Sequence, residues 1–300
     1  MKFRIMQWNM LAKALYSPEN DQPDANNLPS DLFDWTNYRF WRTLQELVRY
    51  KSDIICVEEI DTYEEIKPYL HAIGYTSIFC PKFQSPCLQM PNNVGPDGSA
   101  IFFRKSLFQI VNLSCEKVIL DDYLPTSQVF IILTLKHLKS NKQITLVCVH
   151  LKSKEEYHEK RADQMKYILN KIKQHLHFSN CGNLETDRII ICGDFNGEPF
   201  EKFYKLIVNN DTDEYLQTNL EDAYTITEPN KIKQPTTIKY RKKKMIMRGI
   251  DYVFFNKNTF RLVNYLELPK NNELINKFGL PNLQYSSDHL SLVCDFEFKN

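Results

Sequence analysis

Short apolar runs recur along the chain, and polar side chains stand at their ends. Most runs are rich in β-branched or aromatic residues and are bounded by turn residues, a pattern typical of buried strands. The runs are Phe3–Trp8, Ile54–Val57, Ala100–Phe103, Val129–Leu135, Ile144–Val149, Ile189–Cys192, Tyr252–Phe255 and Leu290–Phe296. The sequence therefore predicts a β-strand at each of these positions.

Two longer segments, Trp35–Tyr50 and Glu155–Lys173, repeat apolar residues every three or four positions and predict amphipathic helices. The two apolar stripes consist of Phe40, Leu44, Leu47 and Val48, and of Met165, Ile168, Leu169 and Ile172. Glu64–Ala72 predicts a shorter helix that stops at Gly74, although Pro68 interrupts its pattern.

The order of these elements indicates the fold class. Strands alternate with helices in places, but they follow one another directly between residues 100 and 149. That mixture favours an α/β protein with two mixed or antiparallel sheets packed together and flanked by helices, rather than a purely parallel sheet. The polar stretches Asn20–Ser30 and Ser179–Thr186 are interpreted as surface loops, so we expect residues 1–300 to form one domain.

Composition narrows the possible partners. Of the 300 residues, 43% are hydrophobic and 25% are charged. The net charge is +1, so the chain as a whole is not basic. Polyanion binding must then come from local patches. The densest patch is Lys239–Lys244, preceded by Lys231 and Lys233. It is either a solvated loop or a cationic loop beside a phosphate-binding site.

The cysteines and the hydropathy pattern indicate a compartment. The eight cysteines form no CxxC pair, and Cys56, Cys148, Cys192 and Cys294 lie inside apolar runs, so we expect free thiols in a reducing compartment. No stretch is apolar enough to span a membrane, and the first strand leaves no room for a targeting segment. We expect a monomer in the cytoplasm, or in the mitochondrion if a longer precursor carries a targeting extension.

Polar residues cluster at the strand ends. They are Asn9, Glu58, Glu59, His150, Asp194, Asn196, Asp251, Asp288 and His289. Asp194 and Asn196 are two positions apart on an extended chain, so both can face one pocket, and Gly193 permits a tight turn or a close approach. One such residue alone is usually a turn former. So many of them at strand ends predict an active site.

The residue types suit a hydrolase that uses a hard metal ion. Carboxylate and amide oxygens favour Mg²⁺, or Mn²⁺ in its place, over zinc. Such an ion suits a phosphorylated substrate, an Asp can orient or deprotonate water, and a His can stabilise the developing negative charge. The chain has no GxSxG, P-loop or GxGxxG motif, so no motif supports an acyl hydrolase, an NTPase or a Rossmann dinucleotide-binding fold.

The ordered motifs resemble those of the endonuclease/exonuclease/phosphatase superfamily, from about residue 4 to residue 296. They are Gln7–Ala12, Glu58–Asp61, Val149–Lys152, Gly193–Asn196, Ile250–Tyr252 and Ser287–Leu290. Trp8–Ala12 favours the deadenylase-like branch. The resemblance implies a four-layer α/β sandwich and a Mg²⁺-dependent phosphohydrolase. Within the branch, Pro81–Lys82, Ser85–Leu88, Asn92–Gly98 and Ser287–Phe296 resemble one subgroup, and that resemblance implies removal of the 2′-phosphate of NADP⁺ and NADPH, which gives NAD⁺ and NADH.

The resemblance also implies a role for each residue. Glu59 would be the principal metal ligand, with Asn9 and Asp288 nearby. Asp194 would orient or activate water, and Asn196 would fix water or phosphate. His289 would contact the scissile phosphate, Asp251 would set its tautomer and charge, and His150 would add a phosphate contact. The remaining substrate contacts would be Lys82, Asp97, Lys152, Lys154 and Arg241.

Some positions depart from the family pattern. Glu58 stands where Gln is usual and is expected to place a second negative charge beside Glu59. Lys154 replaces Arg, so a bidentate contact becomes a point charge. Ile238 replaces Trp, and Met247–Arg248 replaces an Arg–His pair.

Two other functions stay open at this stage. One is a poly(A)-specific 3′-exoribonuclease on the same scaffold, which would need a basic track and stacking platforms that a net charge of +1 hardly provides. The other is a binding protein that has lost catalysis. Such a protein would be expected to lack at least one of the catalytic residues, and none is missing.

Overall fold

The computed structural model describes residues 1–17, 34–119, 125–178, 187–208, 220–225, 233–241, 244–270 and 279–299. The predicted loops Asn20–Ser30 and Ser179–Thr186 lie outside these ranges. The strands are β1 Lys2–Asn9, β2 Ile54–Glu58, β3 Tyr75–Pro81, β4 Gly98–Arg104, β5 Phe108–Ile119, β6 Pro125–His137, β7 Gln143–His150, β8 Ile189–Asp194, β9 Leu220–Asp222, β10 Thr237–Arg241, β11 Lys244–Arg248, β12 Asp251–Asn256, β13 Phe260–Tyr265 and β14 Leu292–Phe298. The helices are α1 Phe40–Arg49, α2 Tyr63–Ala72, α3 His158–Phe178 and α4 Lys202–Val208.

The strands form two six-stranded sheets and one hairpin. Sheet 1 has the order β13-β14-β1-β2-β4-β3, and sheet 2 has the order β5-β6-β7-β8-β12-β9. In each sheet one central pair is parallel, β1 with β2 and β7 with β8, and the other neighbours are antiparallel. Strands β10 and β11 form a two-stranded ribbon, and Thr237 on β10 also makes an isolated antiparallel bridge to His289.

Three apolar clusters hold the layers together. The largest fills the space between the sheets, with Phe3 and Phe296 from sheet 1 against Ile131 and Val253 from sheet 2. A second joins sheet 2 to α3 and α4, and a third joins sheet 1 to α1 and α2. The order helix–sheet–sheet–helix confirms the predicted four-layer α/β sandwich with two mixed sheets.

All the strands predicted from apolar runs are present, although the last begins at Leu292 rather than Leu290. Both longer helices form, each preceded by a short turn of different helical geometry. On the predicted apolar stripe of α1, Leu47 is buried, whereas Val48 is 40% exposed. Helix α2 accommodates Pro68 inside it.

Within the described residues, every cysteine is a free thiol, and six of the seven are buried. Burial raises the pKa of the Cys294 thiol well above its ordinary value, which makes it a poor nucleophile. No helix in these ranges is both long enough and apolar enough to cross a bilayer.

Candidate active site

The polar strand ends meet at one edge of the sandwich, between the two sheets. In sheet 2, Asp194 on β8 lies opposite His150 on β7 and Asp251 on β12. In sheet 1, Asn9 on β1 pairs with Glu58 on β2, and Glu59 follows directly. The parallel pair in each sheet therefore delivers these residues to a common edge.

Glu59 and Asp194 face each other across the gap between the sheets. Asn9 joins them, because its Nδ2 donates to Glu59 Oε1 at 3.1 Å and to Asp194 Oδ2 at 3.0 Å. His150 Nε2 lies 3.8 Å from the same two carboxylates. The four side chains form one compact polar cluster. Asn9 presents its amide nitrogen here, so a metal-ligand role for its oxygen stays a prediction.

His289 and Asp251 form a buried pair beside this cluster. His289 Nδ1 lies 2.9 Å from Asp251 Oδ2, and Thr236 Oγ1 donates to the same oxygen. Burial opposes a charged imidazole, but the carboxylates of Asp251, Asp288 and Asp194 raise the pKa of His289 to about 9. His289 is therefore a cation at neutral pH, and its Nε2 lies 3.8 Å from Asp194 Oδ2.

His150 has the opposite charge state. Burial lowers its pKa well below the ordinary value, and the neighbouring Lys82 and His289 cations lower it further. Lys82 Nζ lies 3.5 Å from His150 Nδ1, and an ammonium can only donate, so the proton of the neutral ring belongs on Nε2. His150 can then donate a hydrogen bond into the site.

Lys82 is a buried cation that enters the site from sheet 1. Its Nζ lies 2.6 Å from Asp97, which also accepts a hydrogen bond from Ser85. Burial would lower the pKa of Lys82, but Asp97 and Glu59 raise it, so the side chain stays charged. Asp97 is fully buried behind Lys82, which indicates that Asp97 acts by holding the lysine.

Asp194 is suited to interact with water. Burial raises its pKa to about 6, against the opposing influence of the His289 cation. Its Oδ1 accepts from the Asn196 backbone N–H at 2.8 Å, and Asn196 Nδ2 donates to the Leu151 carbonyl at 3.1 Å. The loop thus fixes the Asp194 carboxylate and turns the Asn196 side chain toward β7.

The backbone around the site adopts unusual conformations. Gly193 has φ +149°, and a Cβ at this position would lie 1.9 Å from the Val149 carbonyl oxygen, so only glycine allows β8 to approach β7 there. Glu59 and Asn196 have positive φ angles of 54° and 53°. Non-glycine residues in this region concentrate at functional sites.

Asp288 forms an ion pair with Lys239, the first residue of the lysine-rich patch. Lys239 on β10 lies 2.6 Å from Asp288 Oδ2. Burial would raise the pKa of Asp288, but Lys239 and His289 lower it to about 2. The only sequence signal was the position of Lys239 in a lysine-rich run before Asp251. Part of that run forms the β10–β11 hairpin. Lys233 and Lys239 are both ion-paired, so the alternative that the run is a solvated loop does not hold for these two lysines.

Glu58 corrects a second expectation. Its side chain is fully buried, accepts from Gln7 Nε2 at 2.8 Å and lies 3.2 Å from the Cys148 thiol. Burial raises its pKa well above the ordinary value, so Glu58 is a neutral acid. It does not add the negative charge beside Glu59 that the sequence suggested, because its burial favours the protonated form, and Glu59 lies after the end of β2 with a φ of 54°.

The other predicted substrate contacts are Lys152, Lys154 and Arg241. Lys152 is half-buried, and its ammonium lies 5.2 Å from the centre of the Tyr157 ring. Lys154 is exposed with φ 78°. Arg241 ends β10, and its side chain is outside the described part. Ile238, where the family usually has Trp, is buried against Leu280 and Leu290.

The donor atoms of the site fit a divalent cation. Glu59, His150 and Asp194 offer atoms that all lie within 4.8 Å of one another, and so do Asp194, Asp251 and His289. The first set contains two carboxylates that a cation can bind, whereas His150 carries its proton on Nε2 and acts there as a hydrogen-bond donor. The second contains an imidazolium and is already paired internally. Glu59 and Asp194 are therefore the better ligands, and oxygen donors suit a hard ion.

Comparisons with known proteins agree with this fold. Residues 6–289 match the Endonuclease/Exonuclease/phosphatase family. Nocturnin of Rattus norvegicus is 34% identical over 98% of this chain, which spans 65% of the rat protein's length. The structure of the human Nocturnin catalytic domain with bound sulfate has a TM-score of 0.79 and 31% identity, and covers 99% of this chain and 95% of that one. The CCR4-Not complex 3′-5′-exoribonuclease subunit Ccr4 of Candida albicans is 24% identical, over 99% of this chain and 41% of its own length.

Proposed function

Because the chain belongs to the Endonuclease/Exonuclease/phosphatase family, we propose that it is a Mg²⁺-dependent phosphohydrolase that removes the 2′-phosphate of NADP⁺ and NADPH. The observation that carries this proposal is the meeting of Glu59, Asp194, His150 and the His289–Asp251 pair at one edge of the sandwich. Mn²⁺ is expected to replace Mg²⁺. The dinucleotide substrate rests on the similarity to Nocturnin, which covers almost the whole chain.

The charges of the site support a phosphate ester as substrate. Four cations surround the cluster: Lys82, Lys239, His289 and Lys152 are all buried or partly buried. Cations in a site of low dielectric stabilise a phosphate more than exposed ones do. A bound divalent ion would neutralise further phosphate charge and polarise the phosphorus centre.

The chain's own residues can carry the remaining chemistry. Asp194, ionised above a pH of about 6, accepts a proton from water while Asn196 fixes its carboxylate. Water then attacks phosphorus, the bond to the ribose 2′-oxygen breaks, and that oxygen takes up a proton from solvent water, while Asp194 later returns the proton it accepted to solvent. The His289 cation and the Nε2–H of His150 donate hydrogen bonds to the phosphoryl oxygens as negative charge develops.

The second candidate function is 3′-exonucleolytic shortening of poly(A). The similarity to Ccr4 favours it, since the same cluster could hydrolyse a phosphodiester. A net charge of +1 argues for a small substrate rather than a long polyanion, whose binding generally depends on a continuous basic track.

The test is phosphate release from NADP⁺ and NADPH by the purified chain with Mg²⁺, beside shortening of labelled poly(A). Asp194→Ala should abolish release, whereas Asp163→Ala, which changes an exposed aspartate on α3, should not. Shortened poly(A) with intact NADP(H) would replace the phosphatase proposal with the exoribonuclease one. Equal release by wild type and Asp194→Ala would reject the assignment of the site.

A further inference from the structure

Two thiols meet where an edge of sheet 1 faces an edge of sheet 2. Cys80 lies on β3 and Cys115 lies on β5, and these are terminal strands of the two sheets. The Cys80 side chain belongs to the apolar cluster between the sheets, and it is hydrogen-bonded to the Cys115 thiol. This contact therefore joins the two sheets directly, and none of the roles assigned above uses it.

The register of β5 explains why Cys115 faces sheet 1. Cys115 pairs with Ile131 on β6, whose side chain lies in the cluster between the sheets. Residues directly opposite each other in an antiparallel pair project from the same face of the sheet, so Cys115 lies on the inner face of sheet 2. Lys117, two positions further along this face, places its ammonium 3.9 Å from the centre of the Phe83 ring, just after β3. A second contact thus holds the same two edges together beside the thiols.

The two thiols differ in exposure and in acidity. Cys115 is exposed, whereas Cys80 is only 6% exposed. The hydrogen bond from the Cys80 thiol lowers the pKa of Cys115, against the opposing effect of desolvation. The same hydrogen bond and burial raise the pKa of Cys80. Because the thiolate is the nucleophile in thiol–disulfide exchange, Cys115 is the thiol that a reagent from solvent meets first.

We propose that Cys115 and Cys80 form a reversible redox site, in which a low-molecular-weight disulfide oxidises the pair to an intramolecular disulfide that holds the two sheets together. The Cys115 thiolate attacks one sulfur of the reagent, a mixed disulfide forms, and the first thiolate leaves. Cys80 then loses its proton to solvent and attacks the Cys115 sulfur, which releases the second thiolate. Two protein thiols are oxidised, and one disulfide reagent is reduced to two thiols when the departing thiolates take up protons.

The exposures of the two thiols suit these two steps. The first step needs access from solvent, which Cys115 has and Cys80 lacks. The second step is internal, so Cys80 can carry it out from its buried position, where it already contacts the Cys115 thiol. The other buried cysteines of the described ranges lack an exposed thiol as the first acceptor unless they reach Cys115. The site is independent of which phosphate ester the enzyme hydrolyses.

The test treats the reduced, purified chain with oxidised glutathione and maps its non-reduced peptides by mass spectrometry. Cys181 lies outside the described residues, so Cys181→Ser serves as the reference chain. This reference chain should lose two thiols and yield a disulfide between Cys80 and Cys115, with no glutathione retained on either. Dithiothreitol should restore both thiols.

Three further substitutions in the reference chain separate the two steps. Cys115→Ser should form neither the mixed disulfide nor the internal one, because the exposed nucleophile is gone. Cys80→Ala should stop at the mixed disulfide between Cys115 and glutathione. Cys87→Ala, which removes another buried thiol from the turn after β3, should behave like the reference chain. Thermal unfolding of the reduced forms checks that each variant is folded.

Glutathione retained on Cys115 in the reference chain, or no reaction at all, would overturn the proposal, and this measurement needs no substitution in β3 or β5. Equal loss of thiols in Cys115→Ser would also overturn it. Oxidation should raise the thermal unfolding midpoint of the reference chain, because a crosslink restricts the unfolded chain, and should leave that of Cys115→Ser unchanged. An equal or lower midpoint in the oxidised reference chain would show that the bond does not hold the sheets together.

Discussion

At the scale of single residues, contacts with neighbours decide the charge of each buried group in the site. Two histidines a few ångströms from the same aspartate have opposite charge states. His289 is charged because Asp251, Asp288 and Asp194 surround it, whereas His150 is neutral because burial is reinforced by the Lys82 and His289 cations. The two side chains can therefore approach a phosphate group as one ionic and one neutral hydrogen-bond donor.

Lys239 is expected to contribute to catalysis through its charge. Replacing it with Met should lower kcat by roughly a hundredfold, the scale of losing one electrostatic contact to a developing charge. Lys105→Met, which changes an exposed lysine in the turn after β4, should have no effect. Steady-state kinetics on NADPH measure both, and an unchanged kcat in Lys239→Met would limit Lys239 to positioning Asp288.

At the scale of elements, the attachment of α3 to sheet 2 includes a titratable contact. His175 Nε2 on α3 lies 3.0 Å from Thr134 Oγ1 on β6, and burial lowers the pKa of His175. The unfolded chain, with an ordinary histidine pKa of about 6.5, binds this proton more readily than the folded one. Lowering the pH through that value should therefore decrease the free energy of unfolding.

We expect His175→Gln to lose less stability than wild type between pH 7 and pH 5. Urea denaturation at both pH values measures the difference. His158→Gln, at a side chain that is 58% exposed, should retain the wild-type dependence. A parallel pH dependence in His175→Gln and wild type would show that this contact does not titrate in that range.

The elements that the sequence predicted well are the central ones. Their residues are apolar on both sides, since each sheet is covered on both faces, and such runs stand out without an alignment. Strands β3, β5 and β13 were missed because they lie at sheet edges, where half-exposed residues interrupt the pattern. Strand-end residues such as Asn9 and Asp194 could be predicted because the apolar runs before them mark where each strand ends.

The missed parts of the site depend on contacts distant in sequence. Nothing near Lys239 shows that a hairpin brings it to Asp288, and nothing in the pair Glu58–Glu59 shows which carboxylate faces the core. The resemblance to the family implies a catalytic set, and the structure brings most of its members together, but the neutral state of Glu58 follows only from its burial against Gln7 and Cys148.

At the scale of the whole molecule, the two sheets carry different parts of the site. Glu59 and Asn9 come from sheet 1, and Asp194, His150 and Asp251 come from sheet 2. A cation bound by Glu59 and Asp194 would join the sheets directly. It would also relieve the repulsion between their carboxylates, so binding should stabilise the entire sandwich.

Mg²⁺ is therefore expected to raise the thermal unfolding midpoint. At a concentration a hundred times Kd, the gain in the free energy of unfolding would be about 2.7 kcal/mol. Glu59→Ala should abolish the shift together with turnover, whereas Glu64→Ala, at a carboxylate that is 80% exposed on α2, should preserve both. Differential scanning calorimetry with and without Mg²⁺ measures this. Equal shifts in wild type and Glu59→Ala would remove Glu59 from the ligand set.

The pairing of β1 with β14 also bears on how the chain is made. Strand β1 lies in the middle of sheet 1, and one of its two edges stays open until Leu292–Phe298 has been synthesised. A nascent chain still attached to the ribosome therefore exposes an apolar edge for almost the whole of translation, a state prone to aggregation. Ribosome-stalled chains ending before residue 292 should be cleaved readily by protease, and chains extended well beyond residue 298 should resist it. Early resistance would mean that sheet 1 closes without its last strand.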